Sequence, residues 1–224
     1  MSKRALVLVE GQTEERFVKT VLAPELYKLD LYLFPTILNT KIVKDGPNFK
    51  GGVTTYQKFK NDLQHLINGP GDALVTTIVD YYGLPNDFPG MQNRPPGNAL
   101  RRLQHVEKKI AEDFGNHPRF VPFLALHEFE AWLFSSPNVI PKVLTTMQNA
   151  EAFAQICKAF DSPEEINEGT DTAPSKRILK LFPGYAKTLH GPLAAERIGL
   201  QIIRTQCPHF AAWLQRLEQY ALHT

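Results

Sequence analysis

The segment Ala5-Leu-Val-Leu-Val-Glu-Gly-Gln-Thr-Glu14 constrains the fold of this chain more than any other. Ala5 to Val9 form an apolar run of strand length, Glu10 ends it, Gly11 lets the chain turn, and a helical pattern carrying Glu14 begins at once. A strand that feeds directly into a helix predicts an open α/β sheet, in which ligands bind at the C-terminal ends of central strands. Glu10 and Glu14 would then both look into that crevice, and hard carboxylate oxygens there suit a divalent cation such as Mg²⁺. A plainer reading stands beside this one. The helix dipole favours acidic residues in a first turn, which accounts for Glu14 and Glu15 without any ligand.

The rest of the first 135 residues alternates in the same way. A helix is expected from Thr13 to Leu22, and a strand from Leu31 to Leu38 that Pro35 places at an edge or bends. A basic, glycine-rich loop over Lys41–Gly52 leads to an amphipathic helix, Thr54–Asn68. The third strand, Ala73–Val79, again ends in a carboxylate, Asp80. After a Pro- and Gly-rich loop over Gly83–Gly97 come a helix, Asn98–Phe114, and a fourth strand, Arg119–Leu126, followed at once by His127-Glu-Phe-Glu-Ala-Trp132. This alternation predicts a four-stranded, mostly parallel sheet with helices on both faces over residues 1–135. Residues 136–224 read as a helical extension packed on that core, with helices at Pro137–Leu144, Ala150–Phe160, from Ala173 onward, and at Cys207–Leu222. Asp161–Thr172 reads as an exposed acidic loop.

Three of the four strands end in acidic residues. Glu10, Asp80 and Glu128 would converge if their strands are neighbours, with Glu14 added from the helix after the first strand and Asp87 able to fold back from its loop; Glu130 would share a face with Glu128 in an extended chain and point elsewhere on a helix. Asp80 alone is equally ordinary loop chemistry, and Glu128 and Glu130 alone could be the solvated face of a helix. His127 is a candidate acid or ligand, although a single His is more often a hydrogen-bonded structural residue. No P-loop, dinucleotide fingerprint, nucleophile elbow or Cys/His metal cluster is present. Basic residues gather in three places: Lys41, Lys44 and Lys50; Arg94, Arg101 and Arg102; and Ser175-Lys176-Arg177 at a helix start, where backbone N–H groups suit a phosphate. Each group alone is more often solvated surface. Around an acidic centre they fit a phosphodiester substrate, with Lys176 offsetting transition-state charge and Lys41, Lys44, Lys50, Arg101 and Arg177 along the backbone path.

A net charge of +2 does not by itself advertise a nucleic-acid binder. No apolar run of about 18 residues predicts a membrane span, and the short N-terminal apolar stretch lacks the form of a signal peptide. Cys157 and Cys207 lack metal-ligand spacing and fit a reduced, cytoplasmic protein.

The run Val9-Glu-Gly-Gln-Thr-Glu14 resembles the first motif of Toprim domains, most closely the form found in the overcoming-lysogenization-defect (OLD) nuclease group. Over nearly its full length the chain is similar to the bacterial domain-of-unknown-function 4276 family, through that run, Asp80-Tyr-Tyr-Gly-Leu84, His127-Glu-Phe-Glu-Ala-Trp132, Ala173-Pro-Ser-Lys-Arg177 and Ala195-Glu-Arg-Ile-Gly-Leu200. The resemblance implies a Toprim-like α/β fold and a Mg²⁺- or Mn²⁺-dependent nuclease of DNA or RNA. Its metal ligands would be drawn from Glu10, Glu14, Asp80, Glu128 and Glu130, and its setting would be a mobile-element defence system with an ATPase partner. One departure is clear. The usual Asp-x-Asp is Asp80-Tyr81-Tyr82 here, so another carboxylate must supply the missing ligand or the site is weakened. That departure favours another reading, a non-catalytic regulatory or interaction subunit of an ATPase complex, and a third is a phosphotransferase or phosphatase acting on small nucleotides with the same acidic cluster.

Overall fold

The computed structural model describes residues 2–38, 53–166, 169 and 171–223. Among the described residues five strands form one sheet: β1 Lys3–Val9, β2 Leu31–Ile37, β3 Leu74–Asp80, β4 Phe120–Val121 and β5 Leu124–Ala125. All pairings are parallel, in the order β2-β1-β3-β4, with β5 also on β3. The chain is therefore an α/β protein. β3 is central and buried at every position, as a parallel strand covered on both faces should be. β2 lies at the edge, where Pro35 pairs beside Val7 without a ladder donor being demanded of it.

The single strand expected over 119–126 is instead two short ones. Pro122 has no N–H for a ladder, and the Thr77 hydroxyl bridges the break. It accepts the Phe123 N–H at 2.9 Å and donates to the Phe123 carbonyl at 2.7 Å. The first helix is also longer than expected: α1 Gln12–Phe17 passes through a π-helical turn, Val18–Leu22, into α2 Ala23–Tyr27. Pro24 lacks the N–H that would bond to Thr20, and the helix widens where that bond is lost. Gly11, read as a turn-former, has φ −161°, an extended backbone open to any residue.

Period-two alternation divides the core. Leu8, Val75 and Val79 face α3 Tyr56–Ile67 and α4 Ala99–Asp113 on one side. The Thr55 and Asn98 side chains cap those two helices by accepting the N–H groups of Lys58 and Arg101. Ala5, Val7, Val9 and Ile78 face α1 and the C-terminal helices on the other side. Those helices are α5 Val139–Val143, α6 Ala150–Lys158, α7 Pro174–Leu181, α8 Lys187–Ile198, α9 Leu200–Gln206 and α10 Pro208–Leu222. α10 lies across the middle of the sheet, where Trp213 Nε1 donates to Thr76 Oγ1 at 2.8 Å. Phe17, Phe123, Phe129, Trp132, Phe210 and Trp213 interlock there, with ring centroids 4.4 to 6.2 Å apart.

The acidic segment read as an exposed loop also differs. Ser162, Pro163 and Glu164 are buried, and Glu164 accepts the N–H groups of His209 at 2.8 Å and Phe210 at 3.0 Å. It thereby caps α10, whose own N-terminal residue, Cys207, supplies no side-chain cap.

Candidate functional site

β1, β3 and β5 deliver their C-terminal ends to one edge of the sheet. Glu10 follows β1, and its Oε2 accepts the backbone N–H of Asp80 at 3.0 Å. Asp80 continues the series Leu74, Thr76, Ile78, which faces α1 and α8. Its Oδ1 accepts the Phe129 N–H at 2.9 Å. Glu14 lies one helical turn beyond Glu10 and is only 3% exposed. After β5 the chain bends at His127, whose φ of +70° is left-handed, and the His127 carbonyl accepts the Tyr82 N–H at 2.8 Å. The bend leads into Glu128, whose Oε2 accepts the Ser175 N–H at 2.9 Å. Ser175 is in the first turn of α7, where unpaired N–H groups and the helix dipole favour an anion. Phe129–Ser135 then winds as a 3₁₀ helix, which leaves Glu130 fully buried.

A cation meets these carboxylates. Lys187, the first residue of α8, places Nζ 3.1 Å from Glu130 Oε2 and 3.5 Å from Asp80 Oδ2. Tyr185, two residues earlier, donates its hydroxyl to Glu130 Oε1 at 3.4 Å.

The electrostatics follow from burial. Burial, reinforced by the charge of Asp80, pushes the Glu10 carboxyl from 4.5 to about 8 and that of Glu14 to about 7. Burial also lifts Glu130 to about 7, against the pull of Lys187, and Asp80 is raised for the same reason. Burial opposes the charge on Lys187, but Asp80, Glu130 and Glu14 together hold its ammonium above the usual range. Its side chain is still 41% exposed, so it is the solvent-facing member of the cluster. Among the described residues five carboxylates thus gather here while one ammonium, Lys187, pairs with two of them, Asp80 and Glu130, and the surplus negative charge must be met by protons or by a further cation.

The donor chemistry fits a hard divalent ion, since every donor is a carboxylate oxygen, and the ammonium already occupies a cation's position between Asp80 and Glu130. As the side chains stand, no three acidic, His or Cys groups among the described residues are close enough to hold an ion. The carboxylates would have to turn inward around one.

Glu10, Glu14, Asp80, Glu128 and Glu130 lie at the same edge of the sheet, near enough for their charges to act on one another, but the carboxyl groups of Glu10, Asp80 and Glu128, expected within one metal's reach, do not form such a group. Lys176 is not among them: it is exposed on α7, beside the Ser175 whose backbone holds Glu128. The lysine in the cluster is Lys187, which neither periodicity nor motif singled out. Arg177 donates from Nε to the Thr172 carbonyl at 2.7 Å and lies over the Phe160 ring. Arg101 is exposed at the start of α4, and Arg94 donates to the Tyr81 hydroxyl at 3.0 Å. Asp87 does not fold back toward the cluster, because its Oδ2 accepts the Tyr56 N–H at 3.0 Å and so serves the start of α3. Lys41, Lys44 and Lys50 lie outside the described residues.

Fold and site together define a parallel α/β protein with a carboxylate–lysine cluster at the C-terminal edge of its sheet. The chain belongs to the family described as a domain of unknown function (DUF4276), which matches residues 9–218. No curated protein matches it. Two solved structures of the C-terminal region of the OLD protein of Xanthomonas campestris pv. campestris are similar. One, phased with platinum, is 20% identical, with 99% of this chain and 98% of that one covered and a TM-score of 0.41. The other, phased with iodine, is 18% identical over the same shares, with a TM-score of 0.39.

Proposed function

We propose that the cluster is the active site of a Mg²⁺- or Mn²⁺-dependent nuclease that hydrolyses phosphodiester bonds, acting in the cytoplasm as part of a mobile-element defence system with an ATPase partner. One observation carries this reading: among the described residues five carboxylates gather at the C-terminal edge of a parallel sheet, where a single ammonium pairs with only two of them. Such an excess of buried negative charge must be met by protons or by a bound cation, and a divalent ion meets it with the carboxylates ionised. Glu10, Glu14 and Asp80, with Glu128 and Glu130 beside them, would hold the ion. When bound, it supplies charge neutralisation and an acidified water. The oxygen of water joins phosphorus, the bond from phosphorus to the leaving oxygen breaks, and the leaving oxygen takes a proton. The chain's own part is positional. Lys187, half in solvent and fixed by Asp80 and Glu130, meets the non-bridging phosphate oxygens as charge builds on them. Glu128 keeps its orientation through Ser175. The resemblance of Val9–Glu14 to nuclease motifs supports the same substrate class, and the free thiols of Cys157 and Cys207 agree with a reducing compartment.

Cleavage of plasmid and single-stranded nucleic acid with Mg²⁺ or Mn²⁺ tests the proposal. Glu10→Ala is expected to lower the rate by about 100-fold or more, and an unchanged rate would remove Glu10 from the site. A second reading, a non-catalytic subunit of an ATPase complex, is favoured by Tyr82 standing where the motif has its second aspartate. Stable ATPase binding with no cleavage under any condition would select it.

A further inference from the structure

α4 turns one charged face to solvent. Arg101, His105 and Lys108 recur along it at helical spacing, with Arg102 and Lys109 beside them. Leu103, Val106 and Ile110 occupy the opposite side and are buried, so the row points outward. The three acids of the helix are drawn off it or held at its far end. Glu107 turns the other way, where its Oε1 accepts the Leu124 N–H at 2.8 Å and meets His209 Nε2 at 3.1 Å. Asp113 is taken by Lys60 at 2.6 Å and by the Tyr56 hydroxyl at 2.7 Å. Glu112 does reach the row, 2.6 Å from Lys109 and 3.9 Å from Lys108. The loop before the helix braces the row with neutral groups. Asn93 Oδ1 holds His105 Nε2 at 3.2 Å, and the Tyr81 hydroxyl accepts from Arg94 Nη1 at 3.0 Å. Among the described residues neither Arg94 nor Arg101 forms an ion pair within 4.0 Å. Because α4 follows β3 in a parallel sheet, it starts at the C-terminal edge that carries Asp80 and runs back along the sheet.

We propose that this face docks the phosphate backbone of nucleic acid, with Arg94, Arg101, Lys108 and Lys109 as its phosphate contacts. The inference rests on the nucleic-acid reading above and gives the substrate a place to lie. The chemistry of the face selects this partner. None of the exposed large hydrophobic residues described lies on α4 or in the loop over 83–97. A protein partner is held chiefly by buried aromatic and aliphatic anchors, whereas a phosphate backbone asks only for cations and hydrogen-bond donors. From Arg101 to Lys108 the helix rises about 10 Å, the length of about three nucleotide steps along one strand. Contacts to phosphate carry no base information, so binding is independent of sequence.

The test titrates the full chain into a labelled DNA duplex, and into an RNA duplex of the same sequence. Binding is read by fluorescence anisotropy in EDTA over a series of salt concentrations, with folding of each variant confirmed by circular dichroism. Binding to either duplex carries the proposal, and the tighter of the two names the polymer. Wild type is expected to give a slope of log Kobs against log salt of about −3, as three to four phosphate contacts require. Arg101→Gln and Lys108→Gln should each make it shallower by about one, and the double variant should bind about tenfold or more weakly. Lys158→Gln removes the same charge from an exposed position on α6, in the layer across the sheet, and should leave the slope unchanged. A slope as steep in the double variant as in wild type, or one moved equally by Lys158→Gln, would overturn the proposal. Mg²⁺-dependent cleavage that persisted beside such a result would leave the nuclease reading standing. Binding weakened by the α4 variants in a chain that cleaves nothing would support this face and remove the nuclease reading. No binding by any folded form would overturn the proposal, and the cleavage assay would then judge the nuclease reading by itself.

Discussion

Gly191 is the residue on which the seating of α8 depends. Besides the Tyr185 hydroxyl and the Phe129 ring, its absent Cβ would lie 3.6 Å from Thr13 Cγ2, so three parts of the chain close on one position. A methyl group there would force buried rings apart, and overpacking of this kind costs about 1–3 kcal/mol. Gly191→Ala is therefore expected to lower the denaturant midpoint with an unchanged slope, and a wild-type midpoint would show that α8 stands further off. The need for glycine here is steric: no left-handed φ is recorded for it.

Among the elements, α10 depends on a residue that reads as loop. Glu164 caps it with both carboxylate oxygens while His209, on the same helix, bonds Glu107 at 3.1 Å. Glu164→Gln keeps the shape but turns one acceptor into a donor facing an N–H. Urea titration should show a loss of about 1–2 kcal/mol, and a loss near zero would deny Glu164 its capping role. The elements that were legible share a cause, namely periodicity carried by residues that also decide burial. β1 and β3 announced themselves as apolar runs, and α3 and α4 as amphipathic patterns behind Thr55 and Asn98. The elements that stayed hidden have causes too. Gly191-Pro192 reads as a turn, although Pro192 lies inside α8, so the helix that begins with Lys187 went unread. The positions of Glu10 and Asp80 at one edge of the sheet were legible because strand ends locate them. Their lysine was not, because its position depends on how a distant helix packs.

For the whole molecule, the buried carboxylates make stability depend on pH in an unusual direction. Glu10 is raised from 4.5 to about 8, and Glu14 and Glu130 from 4.5 to about 7. Between those values the folded protein keeps protons that the unfolded chain has released, so stability is greatest at the acidic end and is lost as pH rises. The metal-free melting temperature should fall from pH 4.5 to about 8, and millimolar Mg²⁺ should restore it most at the alkaline end, where the carboxylates are free to bind it. A melting temperature that rises over that window would contradict the burial described for these groups.

The union of Glu10 and Lys187 in one cluster also bears on the order in which the protein comes into being. Synthesis proceeds from the N-terminus, so Glu10, Glu14 and Asp80 emerge with β1, α1 and β3, Glu128 and Glu130 after β5, and the ammonium only with α8. Until α8 has been made and has docked, Asp80 and Glu130 lack the ion pairs that Lys187 gives them. The acids are therefore made well before the lysine that pairs with Asp80 and Glu130, and a polypeptide released before α8 would carry them without it.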